Sequence, residues 1–426
     1  MATTQSSLTD APVRVGDLIE VTTGAFAHGG EAVARVGELV CFVAGAASGE
    51  RVRVRVTEAR KRFARAVLVE VREASPERVT PPCPYFGTCG GCQWQFLSYP
   101  AQIAAKASIL RDQLQRALRL PDMALNSFMQ PPIGMRDPWA YRNTISVIAD
   151  AEGHPAYRQL HSHATVAVDH CPIAQAPITR ALAALTREGI EGEVTIRTDL
   201  DGAAVALAPD ERTPTQHMLL GVPFRTDGTA FFQVNTRREA RPELAALLPD
   251  DWQPTDGVSM ADVLAALVLK GMMLTGHETV LDAYAGVGTF ALLAAPHARR
   301  VIAVEEVEAA ATDTRHNARV LGRENVIVHT RKAERLLPAL HESVDVAVLD
   351  PPRAGCAPAV LDALLALAPA RIVYVSCDPA TLARDLVTLT ARYEIVSVYP
   401  VDMFPQTFHI ESVTTLIRKE TQEAAT

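Results

Sequence analysis

IVYVSCDPATLARD, Ile372 to Asp385, holds the junction around which the rest of the chain is organised. Ile372, Val373, Tyr374 and Val375 form a short apolar, largely β-branched run that stops at Ser376 and Asp378-Pro379, the pattern of a buried strand with an abrupt end. Pro379 lacks an N–H and restricts the residue before it, so the strand cannot continue, and ATLARD reads as the first turns of a helix. Cys377 is thereby placed at the carboxyl end of a strand, just ahead of a helix N-terminus. In an open α/β sheet that edge is where ligands bind, and the positive end of a helix favours a thiolate over a thiol. A lone cysteine in a buried strand more often only packs; this position argues for chemistry.

Working outward, strand and helix patterns alternate regularly from Glu278: TVLDAYAGVGTFALLAA, RVIAVEEVEAAATDTRHNARVLG, NVIVHT, VDVAVLDPPR, AVLDALLALA, the opening stretch, then YEIVSVYPVDM. The succession predicts a doubly wound parallel sheet with crossover helices. Its first strand ends at Asp282, and Gly286 and Gly288 follow in a loop before a helix, which lets backbone approach a ligand closely. Glu305 ends the next strand, about where an acid holds ribose hydroxyls. Glycine spacing with Ala291 in third place fits a dinucleotide and S-adenosylmethionine (SAM) equally. Asp350-Pro351-Pro352-Arg353 ends another strand, its prolines fixing a loop that projects Asp350 at the same sheet edge. In DMFPQTFHIESV, Pro405 enforces a loop and Glu411 follows His409; a single Glu in a loop is ordinarily solvated. A thiolate, a carboxylate and a sulfonium methyl donor suit methylation of an unactivated pyrimidine carbon. Uracil C5 is a poor nucleophile until a thiolate adds at C6, and a base must then remove the C5 proton.

The chain has 426 residues, 48% of them apolar, and a net charge of −8. Two or three globular domains are expected. Apolar runs are too short to span a bilayer, and MATTQSSLTD lacks a basic start and apolar core, so the reading is cytoplasmic with no membrane association. The net charge argues against nucleic acid, but the distribution does not: seven basic residues stand against Glu58 between Arg51 and Arg65, and Arg51, Arg53 and Arg55 share one strand face. Short β-branched runs and glycine turns from Val13 to about Val71 suggest a five-stranded barrel of the oligonucleotide-binding type. Cys83, Cys89 and Cys92 follow, with glycines that allow three sulfurs to converge, and Cys171 is the candidate fourth ligand for zinc or an iron–sulfur cluster. A helix is expected over Ala101 to Leu118, an α+β region through about Val222, a second helix from about Thr236, a loop over 250–260 and a helix to about Met273.

CPYFGTCGGCQWQ, Tyr141-Arg142-Asn143, FFQVN, DAYAGVGTF, DPPRAG, VSCDPATLARD and DMFPQTFHIESV together resemble the bacterial RNA uracil-5-methyltransferases. The likeness is to the branch with an N-terminal TRAM domain and an iron–sulfur cluster that modifies 23S ribosomal RNA. It implies a TRAM barrel over 11–72, a central domain with the cluster over 73–225 and a Rossmann-like SAM methyltransferase domain over 226–420. It implies Cys377 as nucleophile, Glu411 as base and Asp350 near the target uracil. Cofactor contacts are implied at Gln233, Tyr284, Gly286, Gly288, Glu305 and Asp350, and RNA contacts at Arg142 beside Arg51, Arg53 and Arg55. A 4Fe-4S cluster on Cys83, Cys89, Cys92 and Cys171 is favoured over zinc, and no obligate protein partner is inferred. The sequence departs from the pattern at Thr144 and Ala285, near Lys332, and in a longer segment between Asn235 and Leu281; Cys41 and Cys356 are read as packing. Rival readings are a transfer RNA uridine methyltransferase, an RNA N-methyltransferase gripping an amino group with Asp350-Pro351-Pro352, a nicotinamide oxidoreductase, and a non-catalytic RNA-binding module.

Overall fold

In RVRVRVTEA every second residue of the first six is valine, and Val52, Val54 and Val56 are buried while Arg51 and Arg55 stand in solvent. That alternation makes a strand with one face in a core. The computed structural model, which describes residues 12–160, 162–250, 252 and 254–420, places it as the fourth of five. These are β1 (Leu18–Phe26), β2 (Ala32–Val36), β3 (Leu39–Ala44), β4 (Arg51–Ala59) and β5 (Phe63–Glu73), closed into a barrel in the order β1-β2-β3-β5-β4. The barrel belongs to a unit made of the chain up to Ile109 and Gln406–Phe408; Leu110–Pro405 and the chain from His409 form a second unit. Val21, Ala34, Leu39, Val43 and Ala66 fill the barrel with the three valines of β4, and Cys41 packs among them, its thiol pKa raised by burial.

On the outer face the arginines of β4 are interleaved with acids. Arg53 lies opposite Glu20 of β1 and Glu70 of β5, and Arg51 pairs with Glu73 at 3.0 Å. The positive face expected from the sequence is therefore partly neutralised by its cross-strand neighbours.

Just ahead of β4, Glu50 is fully buried. It accepts from the Ala47 N–H at 2.8 Å and from Nε and Nη2 of Arg78 at 2.5 and 2.8 Å, and Arg78 also donates to the Gly45 carbonyl at 2.8 Å. Burial alone raises a carboxyl pKa; the Arg78 and backbone donors outweigh it and hold Glu50 below its usual value.

In the second unit, α1 (Tyr99–Leu118), within which the unit boundary falls, leads to α2 (Asp122–Phe128). β6 (Thr144–Ala149), β7 (Pro155–Arg158), β8 (Thr165–Ala167), β9 (Glu193–Thr198) and β10 (Ala204–Leu207) form an antiparallel sheet in the order β10-β9-β6-β7-β8. α3 (Ala176–Glu188) buries Ile178 and Leu182. A hairpin of β11 (Pro214–Leu219) and β12 (Val222–Asp227) follows.

The helix expected from about Thr236 does not form. The stretch is irregular up to Arg241, and only a 3-10 turn, Pro242–Leu247, follows. Pro242 disfavours helical backbone at Arg241 and can only begin a helical turn. The loop ends where Ser259 and Asp262 form a capping box on α4 (Met260–Met272). α4 is apolar almost all round and largely buried; a Cβ on Gly271 would stand 2.7 Å from Thr415 Oγ1 and 3.1 Å from Val373 Cγ2.

The remaining elements are β13 (Thr279–Asp282), α5 (Thr289–Ala294), β14 (Arg300–Glu305), α6 (Glu308–Val320), β15 (Val326–Thr330), α7 (Ala333–Leu336), β16 (Val346–Leu349), α8 (Pro358–Leu367), β17 (Arg371–Ser376), α9 (Pro379–Leu389), β18 (Tyr393–Val401) and β19 (Glu411–Arg418). Their seven strands lie in the order β15-β14-β13-β16-β17-β19-β18. β13 to β17 are mutually parallel, as the alternation predicts, but β19 runs antiparallel to β17 and to β18. The link from Val401 to Glu411 is too short for the crossover that a parallel pair requires. Among the described residues no helix is long and apolar enough to cross a membrane.

Removing the Arg78 guanidinium strands a buried carboxylate, so Arg78→Ala should cost about 3–5 kcal/mol in urea denaturation at pH 7. Glu50, with its lowered folded pKa, stabilises above its unfolded pKa of about 4.3 and loses that contribution as pH falls through the folded value. The deficit of the variant should therefore persist down to about pH 4 and narrow below it. A deficit below about 1 kcal/mol, the range of exposed pairs, would refute this.

Candidate active site

β17 stops at Ser376 because Asp378 turns inward to cap α9, its Oδ1 accepting from the Ala380 and Thr381 N–H groups at 3.0 and 2.9 Å. The last cross-strand pair of β17 and β19 is Ser376 with Ser412, so the next residue along each strand is Cys377 or Glu411. Antiparallel pairing thus brings these two to one end of the sheet. The sequence put Glu411 in a loop, where a lone Glu is ordinarily solvated; it is instead the first residue of β19, opposite Val401 of β18 and only 6% exposed. Double-sided strand pairing accounts for the burial.

Cys377, Glu411, Asp350, Gln233, Tyr284, Gly286, Glu305 and Arg142 all line one cleft of about 790 Å³ at the carboxyl ends of the parallel strands. Gly288 does not line it. At φ +88 it caps α5, and a Cβ there would lie 2.8 Å from Leu292 Cδ1 and Thr314 Cγ2, so its role is packing. Gly286, at φ +55, would meet nothing within 4 Å: above it is open cleft. Its N–H donates to Glu305 Oε2 at 2.9 Å and the Val307 N–H to Oε1 at 2.7 Å, which fixes the carboxylate beside the loop. An open glycine loop beside an oriented carboxylate fits a bound nucleoside, the first for close approach and the second for ribose hydroxyls.

The electrostatics of the cleft reverse one expectation. A thiolate at Cys377 was anticipated from the helix N-terminus, yet its thiol pKa is pushed up to about 11, by burial first and then by Glu411 and Asp350, with Arg353 opposing. The Asp378 carboxylate already occupies the first N–H groups of α9, and the surroundings are anionic. Burial pushes Asp350 up to about 7, and burial with the Asp350 charge does the same to Asp282 at the end of β13. Glu411 is raised well above its usual value by burial and Asp350, against Arg353.

Three features were not picked out from sequence. Asp282 sits buried beneath the cleft, its carboxylate accepting from the Ala291 N–H at 3.0 Å. Arg353 supplies the cation felt by both Cys377 and Glu411, and its Nη2 lies 3.2 and 3.3 Å from the ring nitrogens of His409. Its place in the DPPR loop was the available signal. Cys356 does more than pack: it is hydrogen-bonded to Tyr284, its thiol is pushed up to about 12, and its N–H donates to buried Asp385 at 2.8 Å, which also accepts from the Tyr374 hydroxyl at 2.7 Å.

The metal candidates divide between the two units. Cys83, Cys89 and Cys92 are half-buried in a tight loop where the Phe86 N–H bonds the Cys83 carbonyl, the Cys89 N–H bonds the Tyr85 carbonyl, and the Gly91 N–H points at Cys89 Sγ at 3.4 Å. Three thiols on a loop with an N–H aimed at sulfur are the donor type of a thiolate-bound metal, but the convergence expected from the sequence is not seen: among the described residues, their sulfurs do not form a group of three whose ligand atoms lie within 4.8 Å of one another. Cys171 belongs to the other unit, in a turn closed by the Ala174 N–H. Asp150, Glu152 and His154 also come together, but Asp150 Oδ1 accepts from the other two backbones at 3.0 and 2.8 Å and so closes an ordinary turn.

Residues 12–69 match the TRAM domain, and residues 267–419 match the tRNA (uracil-5-)-methyltransferase domain. An uncharacterized RNA methyltransferase of Gloeobacter violaceus is 36% identical over 95% of this chain and 97% of its own. One from Halalkalibacterium halodurans is 34% identical over 95% and 98%. Among solved structures, the Pyrococcus abyssi tRNA (uracil-54, C5)-methyltransferase in complex with S-adenosyl-L-homocysteine has the same fold, with a TM-score of 0.65 at 23% identity over 93% of this chain and 99% of that one. A barrel of the TRAM type, a cleft at the switch edge of a methyltransferase sheet and relatives matching end to end agree, and the chain belongs to the RNA uracil-5-methyltransferase family.

Proposed function

We propose that this protein methylates C5 of a uridine in RNA, with SAM as methyl donor and 23S ribosomal RNA as substrate. The observation that carries the reading is the convergence of Cys377, Glu411 and Asp350 in the cleft that holds the glycine loop and Glu305. Bound SAM supplies an electrophilic methyl on a sulfonium. Cys377 releases its proton to solvent and adds to uracil C6, forming the C–S bond and moving the C5=C6 π pair into an enolate. C5 takes the methyl group as the methyl's bond to the sulfonium sulfur breaks, which leaves S-adenosylhomocysteine. Glu411, in its carboxylate form, accepts the C5 proton, the C6–S bond breaks and its electrons return to Cys377. Asp350, whose charge acts on both groups and whose carboxyl titrates near 7, tunes these transfers. The target base leaves its stack to reach Cys377.

Cys83, Cys89 and Cys92 are proposed to hold a 4Fe-4S cluster; Cys171 enters as fourth ligand through its sequence context. Methyl transfer needs no electron, so a cluster there supports structure or RNA placement. The name of the matching domain and the activity of the Pyrococcus neighbour favour transfer RNA as a second reading of the substrate. Methylation of 23S ribosomal RNA and transfer RNA side by side separates the two.

With 5-fluorouridine-substituted RNA and SAM, the protein should stall as a methylated adduct on the Cys377 peptide, because fluorine cannot leave as a proton. Cys377→Ala should lower turnover more than about a thousandfold with RNA affinity unchanged, and Glu411→Gln should accumulate adduct with ordinary uridine. Turnover retained by Cys377→Ala would end the mechanism.

Alkylation of Cys377 by iodoacetamide in the free protein, followed by peptide mass spectrometry, should be slow at pH 7. It should rise about tenfold per pH unit to beyond pH 9, as a thiol pKa near 11 requires. A plateau by pH 8 would contradict the anionic environment. Anaerobically purified protein should contain about four iron and four sulfide per chain, lost in Cys89→Ser; one zinc in their place would replace the cluster assignment.

A further inference from the structure

Two walls of the cleft hang from one helix face. Gln233 enters from the segment that leaves β12, and Gly286 from the loop after β13. Between them Asp313, Thr314 and Asn317 of α6 are all buried, and their spacing puts them on one side of the helix.

Towards β12, Asp313 accepts from Arg225 Nη1 at 2.8 Å and from the Asp227 N–H at 2.7 Å, while Asn317 Oδ1 accepts from the Arg225 N–H at 2.9 Å. Asn317 Nδ2 returns a hydrogen bond to the Arg225 carbonyl at 2.9 Å and reaches the Val287 carbonyl at 3.2 Å. Thr314 Oγ1 donates to the Gly286 carbonyl at 2.8 Å, and its methyl fills the space a Cβ at Gly288 would need. Two carbonyls of the glycine loop are thus drawn back onto α6 while its Gly286 N–H is committed to Glu305. Buried polar groups with this many partners permit one arrangement, since any other leaves donors unsatisfied.

We infer that this face of α6 sets the glycine loop against β12, and that Asn317 and Thr314 are positioning residues for the adenosyl end of the methyl donor. The inference rests on the SAM reading above. Neither side chain lines the cleft; both act through the backbone of Gly286 and Val287. Their removal should weaken donor binding while leaving the chemistry at Cys377 intact.

The test uses calorimetry with S-adenosylhomocysteine on the full-length protein, together with steady-state kinetics on RNA. Thr314→Val and Asn317→Asp should each weaken binding, and raise the donor KM, by about ten- to thirtyfold, the loss of one or two buried hydrogen bonds. kcat and RNA affinity should stay within about twofold, and Thr314→Ser, which keeps the hydroxyl, should retain most of the affinity. Unchanged affinity in the two folded variants, or equal losses in kcat and RNA binding, would overturn the assignment. Should the variants fail to fold, hydrogen exchange in the wild type decides. Amides 286–288 protected before ligand is added support a preset loop, and protection only after addition refutes it. A wild-type protein that binds no S-adenosylhomocysteine would instead bring down the methyl-donor reading itself.

Discussion

The register between β17 and β19 is the constraint on which the site depends. A slip of one residue would turn every side chain of β19 to the opposite face, separating Glu411 from Cys377 and breaking the packing of a strand that is buried on both faces. Several interactions hold the register. β18 pairs along the far side of β19, with Pro400 opposite Ser412 and Val401 opposite Glu411. α4 lies against both β17 and β19, close enough that Gly271 has no room for a methyl beside Thr415 and Val373. The capping box at Ser259 and Asp262 fixes where that helix begins. The position of the Glu411 carboxyl in the cleft is thereby tied to packing farther along the same two strands.

The cleft is built to retain protons. Cys377, Asp350, Asp282 and Glu411 all have raised pKa values, chiefly because burial disfavours their charged forms, and the charge of Asp350 adds to the burden on the other three. Arg353 is the cation that opposes this for Cys377 and Glu411. On the proposed reading, a sulfonium entering such a site finds its charge welcome and makes thiolate formation easier. The nucleophile would then be generated when the donor is present, and the free protein would expose little reactive thiolate.

The parallel core was legible because its strands are short β-branched runs that end at Asp, Glu or Pro, and the strand ends could be placed to the residue at Asp282 and Glu305, with Cys377 one residue past the end of β17. The barrel was legible from the alternation in β4. What failed did so for long-range reasons. Thr236–Arg241 has helical composition, but Pro242 and pairing of Glu239 with Val258 overrule it. Glu411 follows a proline-containing loop, and nothing local indicates that its strand will be inserted between two others. The protonation of Cys377 depends on burial and on carboxylates brought from two other strands, Glu411 of β19 and Asp350 after β16, while the partners of Arg51 and Arg53 come from β1 and β5. Local sequence carries neither set of neighbours.

Mounting Glu411 at the head of an inner strand has a dynamic consequence. A base on a loop can be swung away from its substrate on the microsecond timescale of lid motion, which offers an on–off control. A base on β19 can move only if hydrogen bonds to both β17 and β18 are broken, and such opening belongs to the rarest fluctuations of a domain. On the proposed reading, the carboxyl that takes the C5 proton is consequently always in position. Commitment to turnover must then come from what enters the cleft, with the RNA itself acting as the moving part.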